Sequence, residues 1–206
     1  MAFQSVWYYT GLPEEICTTL EKDLVENYDA SFEDSGLSGG DVNKQIRNSQ
    51  NAWVPTGHWI SGFLWNYITL ANDNNFLYDL KAIDQNSIQY TRYEEGQFYN
   101  WHNDAGILTM YKPQSQDTSG DQYLNDQVAV SHEQVRKLSF VLQLSNPDDY
   151  EGGNLQLLDE NGRNYFAPRK RGTMIVFDSR TQHRVLKVTK GVRKSLVGWV
   201  VGPRWK

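Results

Sequence analysis

The stretch Gln97-Phe98-Tyr99-Asn100-Trp101-His102-Asn103-Asp104 predicts a β-strand that carries polar groups into the protein. Side chains at positions i and i+2 of a strand point to the same face. Regular alternation therefore predicts one inward face made of Phe98, Asn100, His102 and Asp104. Tyr99 and its alternate neighbours would face the other side. One strand can thus supply a histidine and a carboxylate side by side, as a metal site requires.

Short β-type runs broken by turns continue from Ile83 onward. We predict strands near residues 87–93, 97–104, 137–145, 154–158, 174–178, 183–188 and 195–201, with a shorter one near 164–167. The polar Asn161-Gly162 pair is typical of a tight turn between two of them. About eight short strands predict a jelly roll. A polar segment at about 105–134 interrupts the strands directly after the His-x-Asp pair, and we interpret this long loop as a candidate substrate lid.

Helical periodicity is confined to the first third of the chain, at about residues 12–27 and 58–71. In the second of these, Phe63, Leu64, Tyr67 and Ile68 form the predicted buried side. We therefore expect a mainly β protein with N-terminal helices (α+β), folded as one structural domain. Residues 1–82 would form a helical support region, and residues 83–206 the jelly-roll core.

The composition is that of a folded globular protein, with 39% hydrophobic and 22% charged residues among 206. The apolar runs are short and interrupted, and neither a signal peptide nor a membrane span is evident. The single cysteine, Cys17, excludes an internal disulfide. We therefore expect a soluble cytoplasmic protein without membrane association; the sequence specifies no oligomeric state.

Basic residues are concentrated toward the C-terminus, although the net charge is −5. Residues 163–206 hold 12 of the 20 Lys and Arg but one of the 25 Asp and Glu. This excess fits an anionic cosubstrate or substrate, a nucleic acid, or solvated strand faces balanced by the acidic N-terminal part. The acidic protein as a whole argues against nucleic acid as a partner.

The third metal ligand can be sought among four histidines. His58 begins the second predicted helix and His132 lies in the polar segment, so we interpret both as surface residues. His183 directly follows a turn and begins a predicted strand, which suits a ligand at the mouth of a barrel. Two histidines and a carboxylate are the ligand set of non-haem Fe(II) oxygenases, which leaves metal positions open for substrate and O2.

An anion site is indicated on the last predicted strand. If this strand begins at the turn Lys190-Gly191, Arg193, Ser195 and Trp199 lie on one face. An inward arginine and an inward serine two residues apart can bind the far carboxylate of an organic acid through a charged fork and a hydroxyl.

At these residues the chain resembles the iron(II)- and 2-oxoglutarate-dependent dioxygenases, specifically the prolyl-4-hydroxylase-like branch. The resemblance runs from about Gln85 to Trp199. It rests on the stretches Gln89-Tyr-Thr-Arg-Tyr93-Glu-Glu-Gly96-Gln-Phe-Tyr99-Asn-Trp-His102-Asn-Asp104, Arg136-Lys-Leu-Ser-Phe-Val-Leu-Gln-Leu-Ser145-Asn-Pro147-Asp-Asp-Tyr150-Glu-Gly152-Gly153-Asn-Leu155, Gly172-Thr-Met-Ile-Val-Phe-Asp178, His183-Arg-Val185 and Gly191-Val-Arg193-Lys-Ser195-Leu-Val-Gly-Trp199.

The resemblance implies a double-stranded β-helix (jelly roll) core and an oxidoreductase that converts 2-oxoglutarate and O2 to succinate and CO2 while hydroxylating a C–H bond. It implies Fe(II) bound by His102, Asp104 and His183, with ascorbate as a reductant. The 2-oxoglutarate carboxylate would pair with Arg193, beside Ser195, Tyr93 and Gln143. Gln143 stands where relatives often carry a tyrosine. Substrate contacts are expected from Trp199, Trp101 and Arg180.

The substrate that the resemblance favours is a prolyl residue in a peptide or protein. Alternatives are the same chemistry on a free amino acid or another side chain, nucleic-acid demethylation, and a jelly-roll binding module without catalysis. Demethylation is disfavoured because Arg193-Lys194-Ser195 lacks the second arginine of repair demethylases. The intact Asp104 favours hydroxylation over halogenation, since related halogenases lack this carboxylate.

Overall fold

The computed structural model describes residues 5–37, 41–85, 87–105, 134–159 and 161–205. The candidate lid at about 105–134 lies outside the described residues except for its two ends, as does His132. No helix in the described ranges is both long and apolar enough to cross a membrane.

Two helices precede most of the sheet structure. Helix α1 spans Glu14–Tyr28 and helix α2 spans Trp59–Ala71. Pro13 precedes α1, and Glu14 and Glu15 in its first turn favour the positive end of the helix dipole. Both helices are confirmed within two residues at each end.

Fifteen strands are found in the described residues, and every pairing between them is antiparallel. They are β1 (Val6–Tyr9), β2 (Glu33–Asp34), β3 (Arg47–Asn48), β4 (Gln50–Val54), β5 (Ala82–Ile83), β6 (Ile88–Tyr93), β7 (Phe98–His102), β8 (Gln134–Gln143), β9 (Tyr150–Gly152), β10 (Leu155–Leu158), β11 (Asn164–Phe166), β12 (Met174–Asp178), β13 (His183–Val185), β14 (Val188–Gly191) and β15 (Arg193–Pro203).

The strands form a major and a minor sheet. The major sheet has the order β1-β12-β8-β15-β6-β4-β2, with β5 also paired to β15, and the minor sheet has the order β11-β10-β13-β7-β3. Strands β14 and β9 pair with each other. The mainly β fold with N-terminal helices and a jelly-roll core is confirmed. The N-terminal third is not only helical, because β1 and β4 extend the major sheet and β3 extends the minor one.

Each face of the major sheet packs against a different partner. On the outer face, Tyr90, Phe140 and Leu196 join a buried cluster with Leu20 of α1 and Leu64 of α2. On the inner face, a second cluster links the major sheet to the minor sheet; it contains Tyr93, Val141, Leu155, Leu157, Ile175, Phe177 and Val185. Strand alternation therefore sends every second residue of β6, β8, β12 and β15 into the space between the sheets.

Within α2 the buried side is shifted slightly from the prediction. Leu64 and Ile68 are buried as expected, whereas Phe63 and Tyr67 are only partly buried at the edge of the same cluster. Ile60 and Ala71 complete the buried stripe, because positions four residues apart lie above one another on a helix.

Candidate active site

Two histidines meet across the minor sheet. His102 ends β7 and His183 begins β13, and the two residues are paired in register. Asp104 follows β7, where its backbone N–H donates to the carbonyl of Ser179. The His102 Nε2 atom lies 3.8 Å from Asp104 Oδ1, and His183 Nε2 lies 3.5 Å from Asp104 Oδ2. One potential ligand atom from each residue lies within 4.8 Å of the others. We refer to these three residues as the metal cluster.

Backbone carbonyls fix the orientation of both imidazoles. His102 Nδ1 lies 2.8 Å from the Asn100 carbonyl oxygen, and His183 Nδ1 lies 2.9 Å from the Thr181 carbonyl oxygen. A carbonyl only accepts, so each Nδ1 carries the hydrogen and donates it. Each Nε2 is then left with a free lone pair directed toward Asp104. This is the arrangement in which histidines bind metals, and the donor set fits a divalent cation.

Burial and the neighbouring groups set the ionisation states of His102 and Asp104. Burial, together with the nearby His183, lowers the pKa of His102 to about 3. For Asp104, burial raises the pKa, but the two histidines and a hydrogen bond from Ser139 outweigh it and hold the pKa below its ordinary value. A neutral imidazole and a charged carboxylate are therefore available at neutral pH.

Ser139 of β8 supports Asp104 and was not found from the sequence. Its Oγ donates to Asp104 Oδ2 at 2.6 Å and lies 3.0 Å from the Ser179 hydroxyl. Ser139 is buried on the inner face of the major sheet, so this bond ties the metal cluster to the opposite sheet. The sequence does contain a signal for Ser139. It lies four residues before Gln143, so the two side chains share one face of the strand.

The predicted alternation of β7 is wrong at Tyr99 and Asn100. His102 pairs with His183, and Tyr99 pairs with Val185. The three residue steps from Tyr99 to His102 on β7 therefore lie opposite the two steps from Val185 to His183 on β13. This β-bulge turns Asn100 outward, where its side chain donates to the Gln45 carbonyl. The bulge also places the Tyr99 ring against the His102 imidazole, with centroids 3.6 Å apart and planes 17° from parallel. The Arg47 guanidinium carbon lies 4.8 Å from the centre of the Tyr99 ring.

At the other end of the inner face lies Arg193, which is 1% exposed. Its Nη2 donates to Gln143 Oε1 at 2.9 Å, and its guanidinium carbon lies 5.6 Å from the centre of the Tyr93 ring. Arg193 Nε and the Ser195 hydroxyl are buried without a hydrogen-bond partner among the described residues. A buried guanidinium without a carboxylate partner is costly unless an anion binds to it. These four residues, which we call the anion end, therefore fit the far carboxylate of an organic acid.

An apolar row separates the anion end from the metal cluster. Val197 pairs with Val141, and Val141 pairs with Ile175, on adjacent strands of the major sheet. Two residues farther along β15, Trp199 pairs with Ser139, the partner of Asp104. At about 3.4 Å per residue, Ser195 and Trp199 are roughly 14 Å apart along the strand. The inner face of the major sheet thus places in line an anion site, an apolar stretch and Ser139, which contacts the metal cluster of the opposite sheet.

The three candidate substrate contacts lie in different environments. Trp199 is nearly buried beside Ser139, its Nε1 has no partner among the described residues, and the Arg136 guanidinium lies 3.8 Å from its ring centre. Trp101 is not brought into the site, because it is exposed on the outer face of the minor sheet with Arg184 at 4.6 Å from its ring. Arg180 is held by the Asp178 carboxylate, with bonds of 2.9 and 2.6 Å.

His58 is far from this arrangement in the fold. It precedes α2, where its Nδ1 accepts from the backbone of Ile60, and its Nε2 lies 3.5 Å from Asp23. His58 lies outside the metal cluster, but it is not a freely exposed surface residue, because its side chain is only 19% exposed.

Solved structures with the same fold include prolyl hydroxylases. A Pseudomonas putida prolyl-4-hydroxylase aligns with a TM-score of 0.67 at 22% identity, covering 98% of this chain and 94% of that one. A Trichoplax adhaerens prolyl hydroxylase, determined with a hypoxia inducible factor oxygen degradation domain peptide fragment, aligns with a TM-score of 0.71 at 15% identity, covering 95% and 83%. At these identities the likeness confirms the double-stranded β-helix fold.

The sequence comparisons assign the family. A PKHD-type hydroxylase of Synechococcus sp. strain JA-2-3B'a(2-13) is 31% identical over 176 residues, which cover 84% of this chain and 68% of that protein. The profile of the 2OG-Fe(II) oxygenase superfamily matches residues 88–201, a range that contains the metal cluster and the anion end. The resemblance found in the sequence is therefore confirmed, and the chain belongs to the 2OG-Fe(II) oxygenase superfamily as a 2-oxoglutarate-dependent dioxygenase.

Proposed function

We propose that this dioxygenase hydroxylates prolyl residues within a peptide or protein, with 2-oxoglutarate as cosubstrate. One observation carries the cosubstrate assignment. A buried arginine that has no carboxylate partner among the described residues lies at one end of the space between the two sheets, and the three-residue metal cluster lies at the other end, with an apolar row between them. A molecule with two polar ends joined by methylenes matches this order of environments.

In this proposal His102, Asp104 and His183 bind Fe(II) through Nε2 and carboxylate oxygens. When bound, Fe(II) supplies the oxidation of a substrate C–H bond by O2, coupled to conversion of 2-oxoglutarate to succinate and CO2. The protein contributes geometry, because Asn100, Thr181 and the Ser139 hydroxyl hold the ligands in place.

The anion end would position the cosubstrate. Arg193 supplies charge and a planar set of donors to the far carboxylate, and Ser195 adds a hydroxyl. Gln143 accepts from Arg193 Nη2 and so limits which edge of the guanidinium is left for the ligand. Tyr93, which is buried beside the guanidinium, would line the same site. The apolar row of Val197, Val141 and Ile175 keeps water from the methylenes between the two ends.

A prolyl substrate is supported by the relatives and by Trp199. The structural relatives described above are prolyl hydroxylases, and one was determined with a peptide. Trp199 stands at the metal end of the inner face, and an indole face packs well against an apolar ring such as pyrrolidine. Arg136 lies over this indole and is paired with Asp84 at 3.2 Å, so it would fix the orientation of the ring.

The test uses purified protein with Fe(II), 2-oxoglutarate and ascorbate as the proposed reductant. The substrates are proline-rich peptides, the same peptides with alanine in place of proline, and free L-proline. We expect one added oxygen atom per reacting proline by mass spectrometry, with one succinate formed for each. The His102→Ala protein is the control and should produce neither. Oxidation of free L-proline alone would contradict the peptidyl-proline assignment while retaining the oxygenase, and oxidation of the alanine peptides would point to another side chain.

A further inference from the structure

Buried polar atoms without partners are concentrated around the anion end. Among the described residues, nine buried side-chain nitrogen or oxygen atoms have no hydrogen-bond partner. Four of the nine lie on the inner face of the major sheet around Gln143: Arg193 Nε and the hydroxyl oxygens of Ser195, Thr91 and Thr173. The two threonines have no role in the function proposed above. The three that lie on the adjacent strands β15 and β6, Arg193 Nε and the hydroxyls of Ser195 and Thr91, indicate a site built for a polar ligand, because unmet buried groups are normally scattered and few.

The strand register places these hydroxyls in one row. Ser195 of β15 pairs with Thr91 of β6 on one side and with Gln143 of β8 on the other. Thr173 lies across from Gln143, whose N–H donates to the Thr173 carbonyl. The neighbours of Thr91 on β6 fix its direction, since Tyr90 belongs to the outer cluster and Tyr93 to the inner one. Thr91 is 1% exposed, so its hydroxyl is enclosed between the sheets.

The number of donors around the anion end can be compared with the number that a carboxylate accepts. A carboxylate has about four lone-pair sites. A guanidinium fork fills two of them, and the Ser195 hydroxyl fills a third. A fourth donor is needed for full satisfaction in a dry pocket, where unmet acceptors are costly. Thr91 is the adjacent inner-facing residue across from Ser195, and paired positions on antiparallel strands lie about 5 Å apart.

We propose that Thr91 is a further cosubstrate-binding residue, whose hydroxyl donates to the far carboxylate beside Arg193 and Ser195. This inference rests on the proposed 2-oxoglutarate site and extends it by one strand, onto β6. Thr173 is a matched comparison, because its hydroxyl is equally buried and unpartnered but lies two strands from Ser195, beyond Gln143.

The experiment measures binding rather than turnover. Protein loaded with Mn(II) is titrated with 2-oxoglutarate in the absence of peptide, and Kd is read by calorimetry. Thr91→Val keeps the shape of the side chain and removes the hydroxyl. We expect it to raise Kd about tenfold, equivalent to about 1.4 kcal/mol. Thr91→Ser, which keeps a hydroxyl, should bind within about threefold of the wild type, and so should Thr173→Val.

The melting temperature without ligand separates a binding role from a structural one. If the Thr91 hydroxyl gains its hydrogen-bond partner only when the cosubstrate binds, Thr91→Val should leave the Tm of the ligand-free protein unchanged or higher. The substitution then replaces an unmet buried hydroxyl by a methyl group. A lower ligand-free Tm with an unchanged Kd would assign Thr91 a structural role and overturn the inference. Equal weakening by Thr91→Val and Thr173→Val would overturn it as well. Thr91→Ala tests the same hydroxyl if the valine variant does not fold.

Failure of the underlying function gives a different result. If the wild-type protein does not bind 2-oxoglutarate, both the proposed function and this inference fail. If the wild type binds it and Arg193→Met weakens binding while Thr91→Val does not, the cosubstrate site stands and the role of Thr91 is overturned.

Discussion

Ser139 links the metal cluster to the major sheet through a single short hydrogen bond. Its hydroxyl donates to Asp104 at 2.6 Å and is itself next to Ser179. Supporting residues of this kind orient metal ligands, and their loss typically weakens metal binding about 10–100-fold. We therefore expect Ser139→Ala to raise the Kd for Mn(II) by about this factor, as measured by calorimetry in the absence of 2-oxoglutarate.

The control for this prediction is Ser145→Ala. Ser145 is also a serine of the β8 region, but it contacts Val192 and Lys194 on the backbone and no member of the metal cluster. It should leave Mn(II) affinity unchanged. Equal affinity of the Ser139 variant and the wild type would show that Asp104 is oriented without the serine.

Asp178 gives the protein a pH-dependent contribution to stability. Although burial raises the pKa of Asp178, hydrogen bonds from Arg180 and Tyr78 lower it overall. A carboxyl whose folded pKa lies below its unfolded value stabilises the fold above the unfolded value, here 3.8. That stabilisation is lost as the pH falls from about 4 through the lower folded pKa. We therefore expect Asp178→Asn to lower the free energy of unfolding by about 1–2 kcal/mol at pH 7 and by much less near pH 2. The value at pH 7 is modest because Arg180 is half-exposed.

Urea unfolding at both pH values measures this difference. The exposed Asp148→Asn is the comparison, and it should change the free energy of unfolding little at either pH. If Asp178→Asn lowers the free energy of unfolding equally at both pH values, Asp178 stabilises the fold through its shape and not through its charge.

At the level of elements, the β9–β14 pair holds the start of β15 in place. Gly191 of β14 pairs with Tyr150 and has a φ of 74°, and an added Cβ would overlap the Asp149 carbonyl oxygen. Gly162 has nearly the same φ, 73°, but has open space around it. We expect Gly162→Ala to lower the free energy of unfolding by about 1 kcal/mol through backbone strain alone. Gly191→Ala should lower it by clearly more.

The two glycine variants should also differ in cosubstrate binding. Because Gly191 lies two residues before Arg193, movement of β14 would displace the guanidinium and raise the KM for 2-oxoglutarate. The KM of Gly162→Ala should stay at the wild-type value. Succinate release at varied 2-oxoglutarate gives both constants, and an unchanged KM in Gly191→Ala would show that Arg193 is positioned independently of the β9–β14 pair.

The strands that carry the candidate site could be predicted because they have long runs of β-forming residues with clear turns between them. Strand β12 has its predicted bounds, Met174–Asp178, and β6 begins at Ile88, one residue after its predicted start. The bulge in β7 could not be predicted, because it depends on how β7 pairs with β13 and not on its own residues. Tyr99 was consequently assigned to the wrong face.

The strands of the N-terminal third were missed for a related reason. Strands β1 and β4 are short, and their stability comes from pairing with β12 and β6 of the major sheet. They are only four and five residues long, so any alternation of apolar and polar side chains within them is short. Local pattern is weak evidence for strands of this kind, since strand preference reflects packing against neighbours.

In the whole molecule, stability and binding depend on opposite faces of one sheet. The outer face of the major sheet packs on α1 and α2, and the inner face carries the anion end and the apolar row. Leu64 of α2 is fully buried in the outer cluster, so Leu64→Ala should lower the free energy of unfolding by about 2–5 kcal/mol. Because the sheet separates this cavity from the site, the KM for 2-oxoglutarate at 25 °C should not change.

Val141→Ala makes the complementary change on the inner face. It removes apolar contact worth about 2 kcal/mol from the row between the two ends of the site. We expect a smaller loss of stability than for Leu64→Ala but a severalfold higher KM for 2-oxoglutarate, because the methylenes of the cosubstrate would lose a packing partner and water could enter beside them. Urea unfolding and succinate release measured on the same preparations compare the two effects. A raised KM in Leu64→Ala together with a normal KM in Val141→Ala would contradict this division between the two faces.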